Sequence, residues 1–153
     1  MALEDDTLSS IGARMHADYD AGSRGQVFAE GFRLDLPDAW RLQTVVTKLR
    51  EARGEQVIGY KVGGVDPGNQ ELLGLPHPVW GRLWGSELHE AGVSLQKSDY
   101  ANLSIEAEFG ITLSSDLKPG MSIDELAASV EAVYPVLELH DQVFRSDPPH
   151  GAE

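Results

Sequence analysis

Apolar positions recur at helical spacing in the first part of this chain and at strand spacing further on. Leu8, Ile11, Met15 and Tyr19 share one helical face, and the run Ala21-Gly22-Ser23-Arg24-Gly25 breaks the pattern. Trp40, Leu42, Val45, Val46 and Leu49 form a second apolar stripe, which predicts a helix. It opens at Leu36-Pro37-Asp38, where Asp35 can accept from free backbone N–H groups and Pro37 suits the first turn. Gly54 ends it, and Val57–Gly63 reads as a strand. The stretch Gly64 to Gly85 is rich in Gly and Pro and reads as irregular. Leu103 to Leu113 alternates cleanly, as a strand does. Ser122-Ile123-Asp124-Glu125 is a capping-box pattern that predicts a short helix to about Val133. Val136–His140 is a second apolar strand, and Ser146–Gly151 carries no structural signal. Helices and strands do not alternate regularly, so the pattern predicts an α+β fold rather than a doubly wound sheet. The expected organisation is a helical segment over 1–36 and a domain over 37–153.

Composition narrows the chemistry. The 153 residues suffice for one domain with a core. No segment approaches the roughly 18 apolar residues that span a bilayer, so no membrane partner is expected. The acidic start MALEDDTLSS lacks the basic and apolar regions of a signal peptide, which predicts a cytoplasmic protein. With no cysteine, disulfides, zinc–thiolate sites and thiol nucleophiles are excluded, and any metal must be held by oxygen or imidazole. Twelve basic against 25 acidic residues give a net charge of -13, a field that repels phosphate backbones and argues against nucleic-acid binding. The plainest reading of that charge is solubility; the functional one is that some carboxylates cluster around a cation.

Glu106 and Glu108 are the first candidates. In the strand Ile105-Glu106-Ala107-Glu108-Phe109-Gly110-Ile111 the apolar residues share one face and the two glutamates the other. Their Cα atoms should lie about 6.5–7 Å apart, from a rise of roughly 3.3 Å per residue. Glutamate is depleted in strands, and a same-face pair repels unless something screens it. On spacing alone, an exposed face decorated with glutamate accounts for the pair as well as a cation does. Glu138 adds weight, because it sits among Val136, Leu137 and Leu139. A carboxylate in apolar surroundings needs a partner, either an arginine or a metal. Three strand carboxylates would make an all-oxygen site suited to Mg²⁺ or Mn²⁺, with coordination positions left for water and substrate.

Four segments stand out in order: Gly59-Tyr60-Lys61-Val62-Gly63 (preceded by Arg50-Glu51-Ala52-Arg53-Gly54-Glu55), Pro78-Val79-Trp80-Gly81-Arg82-Leu83, Ile105-Glu106-Ala107-Glu108-Phe109 and Pro135-Val136-Leu137-Glu138-Leu139. Together they resemble motifs of the fumarylacetoacetate-hydrolase superfamily. The branch they resemble most is that of the 2-keto-4-pentenoate hydratases, 2-oxohepta-3-ene-1,7-dioate hydratases and 4-oxalocrotonate decarboxylases. Gln43 falls where the family has a helical glutamine, while Gly63-Gly64-Val65-Asp66 departs from the threonine and serine of many relatives. The resemblance implies N-terminal helices followed by part of a mixed β-roll. Family members are considerably longer, so the chain is expected to be truncated, and to form a homo-oligomer or need another chain to complete the fold.

The resemblance also implies an activity: a metal-dependent lyase, hydratase or decarboxylase, acting on a 2-hydroxydienoate or 2-oxo acid of aromatic-compound catabolism through a metal-chelated enolate. Glu106, Glu108 and Glu138 would hold Mg²⁺ or Mn²⁺, and Lys61 would be the acid/base, on a strand face that Gly59 and Gly63 leave open. Gly63, His77, His140 and Asp141 are the candidate substrate contacts. Two other readings compete: a C–C bond hydrolase of acylpyruvate or fumarylacetoacetate type, and an inactive truncated metal-binding or interaction domain.

Overall fold

The first helix, α1 (Asp5–Asp20), and the second, α2 (Leu36–Ala52), form where the apolar stripes predict them. The structure is a computed structural model that describes residues 2–141, so the tail Ser146–Gly151 lies outside the described residues. Asp35 caps α2 as its position predicts, accepting from the Asp38 backbone N–H at 2.9 Å, with Pro37 in the first turn. The described residues fall into two compact units, the second being Leu103–Asp141.

In the first unit, Leu8 and Met15 of α1, Leu42 of α2, and Val27, Phe28 and Leu34 from the loop between them form the core. Gly12 of α1 packs tightly against α2: a Cβ there would stand 2.7 Å from Val45 Cγ1, so any larger residue would force a shift. The other side of α2 meets a hairpin of β1 (Val57–Gly63) and β2 (Val79–Trp84), paired antiparallel. Trp40 stacks on Trp80 with ring centroids 5.0 Å apart. Gln43 donates to the Trp80 carbonyl at 3.2 Å and accepts from Arg82. The Arg50 guanidinium lies 4.3 Å from the Trp84 ring centroid. Trp80, Arg82 and Trp84 are alternate residues, so α2 engages one face of the hairpin. The opposite face carries Gly59, Lys61 and Gly63, with Gly81 directly across from Lys61.

Gly64 to Gly85 is more ordered than its composition suggests: it holds α3 (Pro67–Leu73) as well as β2. Asp66 caps α3 by accepting from Asn69 N at 3.0 Å, and Gly74 ends it in the left-handed region at φ 65. Seven residues are too few to show an apolar period, and Gly81 and Arg82 interrupt β2, so pairing with β1 defines that strand.

The second unit is a long antiparallel hairpin of β3 (Leu103–Leu113) and β4 (Val130–Asp141), with α4 (Ile123–Ala128) in the connection. The capping box forms as predicted, Ser122 and Glu125 exchanging side-chain and backbone bonds. The helix stops at Ala128 rather than near Val133, and β4 begins well before Val136. The β-branched Val130 and Val133 favour strand, and each has a partner in register on β3. No described helix is long and apolar enough to cross a membrane.

Buried Arg50 ties the first unit together. It pairs with Glu55 at 2.5 Å and Glu87 at 2.6 Å, and Tyr19 of α1 donates to Glu87 at 2.6 Å. Burial opposes ionisation of Glu55, but hydrogen bonds from Arg50, Arg53 and Ser86 outweigh it and hold its pKa at about 2, against an ordinary 4.5. The lowered pKa means that this stabilisation is complete above pH 4.5 and is lost as the pH falls towards 2. Arg50→Met should destabilise the protein by about 3 kcal/mol in urea unfolding, because it removes the cation shared by Glu55 and Glu87 and leaves Glu55 with only Arg53 and Ser86. It should also flatten the loss of stability between pH 4.5 and 2 that the wild type shows.

Candidate metal centre

The register of β3 and β4 sets Glu106 directly opposite Glu138, with Glu108 two residues along the same face. One carboxylate oxygen from each of the three lies within 4.8 Å of the others. Glu106 and Glu108 are exposed, whereas Glu138 is half-buried and its Oε2 is shielded from solvent. The arrangement follows from alternation: Ile105, Ala107, Phe109 and Ile111 take the other face, so the glutamates have no choice but to share this one. Like charges facing each other across a strand pair are unfavourable.

His140 lies on the same face and places Nδ1 3.2 Å from Glu106 Oε1. With its proton on Nδ1, the imidazole donates to that carboxylate and fixes its orientation. Ser104, opposite His140, donates from its hydroxyl to the His140 carbonyl at 3.3 Å. The structure thus gathers Glu106, Glu108, Glu138 and His140. Asp141, the last residue of β4, alternates to the opposite face. Lys61, Gly63 and His77 belong to the first unit. Lys61 is half-buried in mid-β1, Gly63 ends that strand, and His77 is exposed just before β2, its Nδ1 2.8 Å from the Pro78 carbonyl.

The donor set decides which ion would fit. It is carboxylate throughout, which suits a hard divalent cation and not a thiophilic one. Oxygens sharing one Mg²⁺ lie at most about 4.2 Å apart, twice the usual ligand distance of about 2.1 Å. The three oxygens, all within 4.8 Å of one another, lie close to that spacing. Two features escaped the sequence reading. Gly81 faces Lys61 only once the β1–β2 register is known, although a glycine inside an extended apolar segment was a signal. Gln43 shows itself as a bridge from α2 to β2 only in three dimensions.

Comparison with solved structures gives the fold. The fold matches a 4-oxalocrotonate decarboxylase from Pseudomonas putida G7, described as complexed with magnesium and adipate. The TM-score is 0.88 over 99% of this chain and 58% of that one, at 20% sequence identity. Sequence comparison finds relatives of the chain. It is 33% identical over 111 residues to a 2-hydroxyhexa-2,4-dienoate hydratase of Comamonas testosteroni, covering 71% of this chain and 42% of the relative. It is 30% identical over 115 residues to a 2-hydroxypent-2,4-dienoate hydratase of Pseudomonas putida, covering 74% and 52%. A 4-oxalocrotonate decarboxylase of Pseudomonas sp. is 28% identical over 138 residues, covering 90% and 54%. No protein-family model matches. The chain is related to the hydratase and decarboxylase branch that its motifs resemble, and it spans about half the length of the curated relatives it matches.

If the three carboxylates hold a cation, their charge is a liability without one. Millimolar Mg²⁺ or Mn²⁺ should then raise the melting temperature of the wild type through binding linkage. Glu138→Gln should melt slightly higher than wild type in a chelator and gain nothing from either ion. A wild-type melt indifferent to both ions would contradict this.

Proposed function

We propose that the chain carries the metal-binding strands and the proton-transferring lysine of a metal-dependent lyase, a hydratase or decarboxylase, whose substrate is a 2-hydroxydienoate or 2-oxo acid. The observation that carries the reading is the convergence of Glu106, Glu108 and Glu138 on one strand face. The names of the relatives support the substrate class. A bound Mg²⁺ or Mn²⁺ would supply Lewis-acid stabilisation of the negative charge that gathers on the substrate oxygens. In this reading Glu106, Glu108 and Glu138 hold the ion, and His140 keeps Glu106 turned towards it. Lys61 delivers and removes the proton at Nζ. What brings Lys61 into the reading is the resemblance of Gly59–Gly63 to the family motif and the bare strand face on which it stands. Gly63 lets substrate approach, while the placements of His77 and Asp141 give substrate contact by either less support.

The reading extends to setting and assembly. We take the enzyme to be cytoplasmic and catabolic. The apolar face of the second unit is exposed, Phe109 by 78% and Leu137 by 69%, and a second chain packed there would cover it.

Turnover of a 2-hydroxydienoate with Mg²⁺ tests the reading directly. Water addition would give a 4-hydroxy-2-oxo acid, and decarboxylation of a 2-oxo diacid would release CO₂. Lys61→Met should lower kcat by about 10²–10⁴-fold, the usual contribution of a general acid–base group, and leave Mn²⁺ affinity nearly intact. An unchanged kcat would make Lys61 structural. A loss rescued by extra Mg²⁺ would make it an organiser of the metal site. Cleavage of an acylpyruvate in place of lyase turnover would point to the hydrolase chemistry instead.

A further inference from the structure

Three glycines surround Lys61 on one face of the β1–β2 hairpin: Gly59 and Gly63 two residues away on its own strand, and Gly81 directly across. None has a positive φ, so the backbone conformation does not demand glycine at any of them. Packing does not demand it either. A Cβ at Gly63 or Gly81 would meet nothing within 4 Å, and one at Gly59 would make an ordinary 3.7 Å contact with Leu83. The chain uses glycine differently elsewhere: at Gly12 and Gly110 a Cβ would come within 2.7 and 3.0 Å of a valine side chain. Glycine inside a strand weakens it and commonly marks a close approach by a ligand or another backbone. Lys61 contributes the cationic side chain at the centre of this bare patch, with Val79 and Leu83 on β2 to either side of Gly81.

We propose that Gly81 is a specificity-determining residue: by leaving the position across from Lys61 empty, it lets a flat, unbranched carboxylic acid lie against the strand backbone beside the lysine. The inference rests on the lyase reading for its ligand class, but the clearance at Gly81 can be measured without turnover. A methyl group at 81 would project from the face that the acid must touch. An isopropyl group would fill the space over the Lys61 stem. Both residues suit an extended backbone, valine especially, so the cost should fall on access and not on folding.

The test compares wild type with Gly81→Ala and Gly81→Val in two assays. In the first, acetic anhydride labels the lysines and peptide mass spectrometry follows Lys61, with the exposed Lys48 and Lys118 as internal references. In the second, KM and kcat are measured with an unbranched 2-hydroxydienoate. The expected result is a graded slowing of Lys61 labelling from Gly to Ala to Val, with the references unchanged. KM should rise by about tenfold or more in Gly81→Val, the scale of one misplaced carbon group in a fitted site, with kcat much less affected. Melting temperatures should be equal to or above that of wild type. Equal labelling of Lys61 in all three proteins would overturn the proposal, and so would a lower melting temperature in Gly81→Ala, which would make the glycine a packing requirement. If Gly81→Val fails to fold, Gly81→Ala decides by the same criteria. Graded labelling of Lys61 in a wild type that turns over no 2-hydroxydienoate would leave the clearance standing and sink the lyase reading alone.

Discussion

Glu106 and Glu138 face each other across a pair of antiparallel strands, with Glu108 one step further along the same face. Three carboxylates within 4.8 Å repel one another, and every plausible role for this hairpin depends on what relieves that repulsion. His140 meets one of the three, its Nδ1 lying 3.2 Å from Glu106 Oε1. A divalent cation would relieve all three at once, using the oxygen donors that hard ions prefer.

Strand alternation separates construction from chemistry in both units. In the β1–β2 hairpin the face bearing Trp80, Arg82 and Trp84 packs on α2, through the Trp40 stack, the Gln43 bridge and the Arg50 guanidinium. The reverse face is left for Lys61 and its glycines. In the β3–β4 hairpin Ile105, Phe109 and Leu137 take one face and the acidic residues the other. A shift of one residue in either register would exchange the two faces. The Arg50–Glu55 pair anchors the end of α2 to the residues leading into β1.

Much of this was legible in the sequence where a local rule acts alone. The Asp35 cap, the Ser122–Glu125 capping box and the alternation through Glu106 and Glu108 each depend on a few neighbouring residues, and each formed as read. The readings that failed involve partners distant in sequence. Strand β2 is broken by Gly81 and Arg82 and becomes a strand by pairing with β1. Strand β4 takes up Val130 and Val133, assigned by local pattern to a helix, because β3 offers them partners. Helix α3 had its cap and its terminating glycine in plain view, but seven residues gave no periodicity to confirm them. The glutamates were identifiable as candidates, yet the pairing of Glu106 with Glu138 and the bond from His140 needed the register.

The central claim is that the three glutamates form one divalent-metal site. Electron paramagnetic resonance of Mn²⁺ titrated into the protein tests it most directly, because free Mn²⁺ gives a strong signal that binding suppresses. The account predicts saturable loss of that signal at one ion per chain, reversed by excess Mg²⁺ and absent in Glu106→Gln and in Glu108→Gln. Binding of undiminished strength in both variants, or no saturable binding in the wild type, would contradict it.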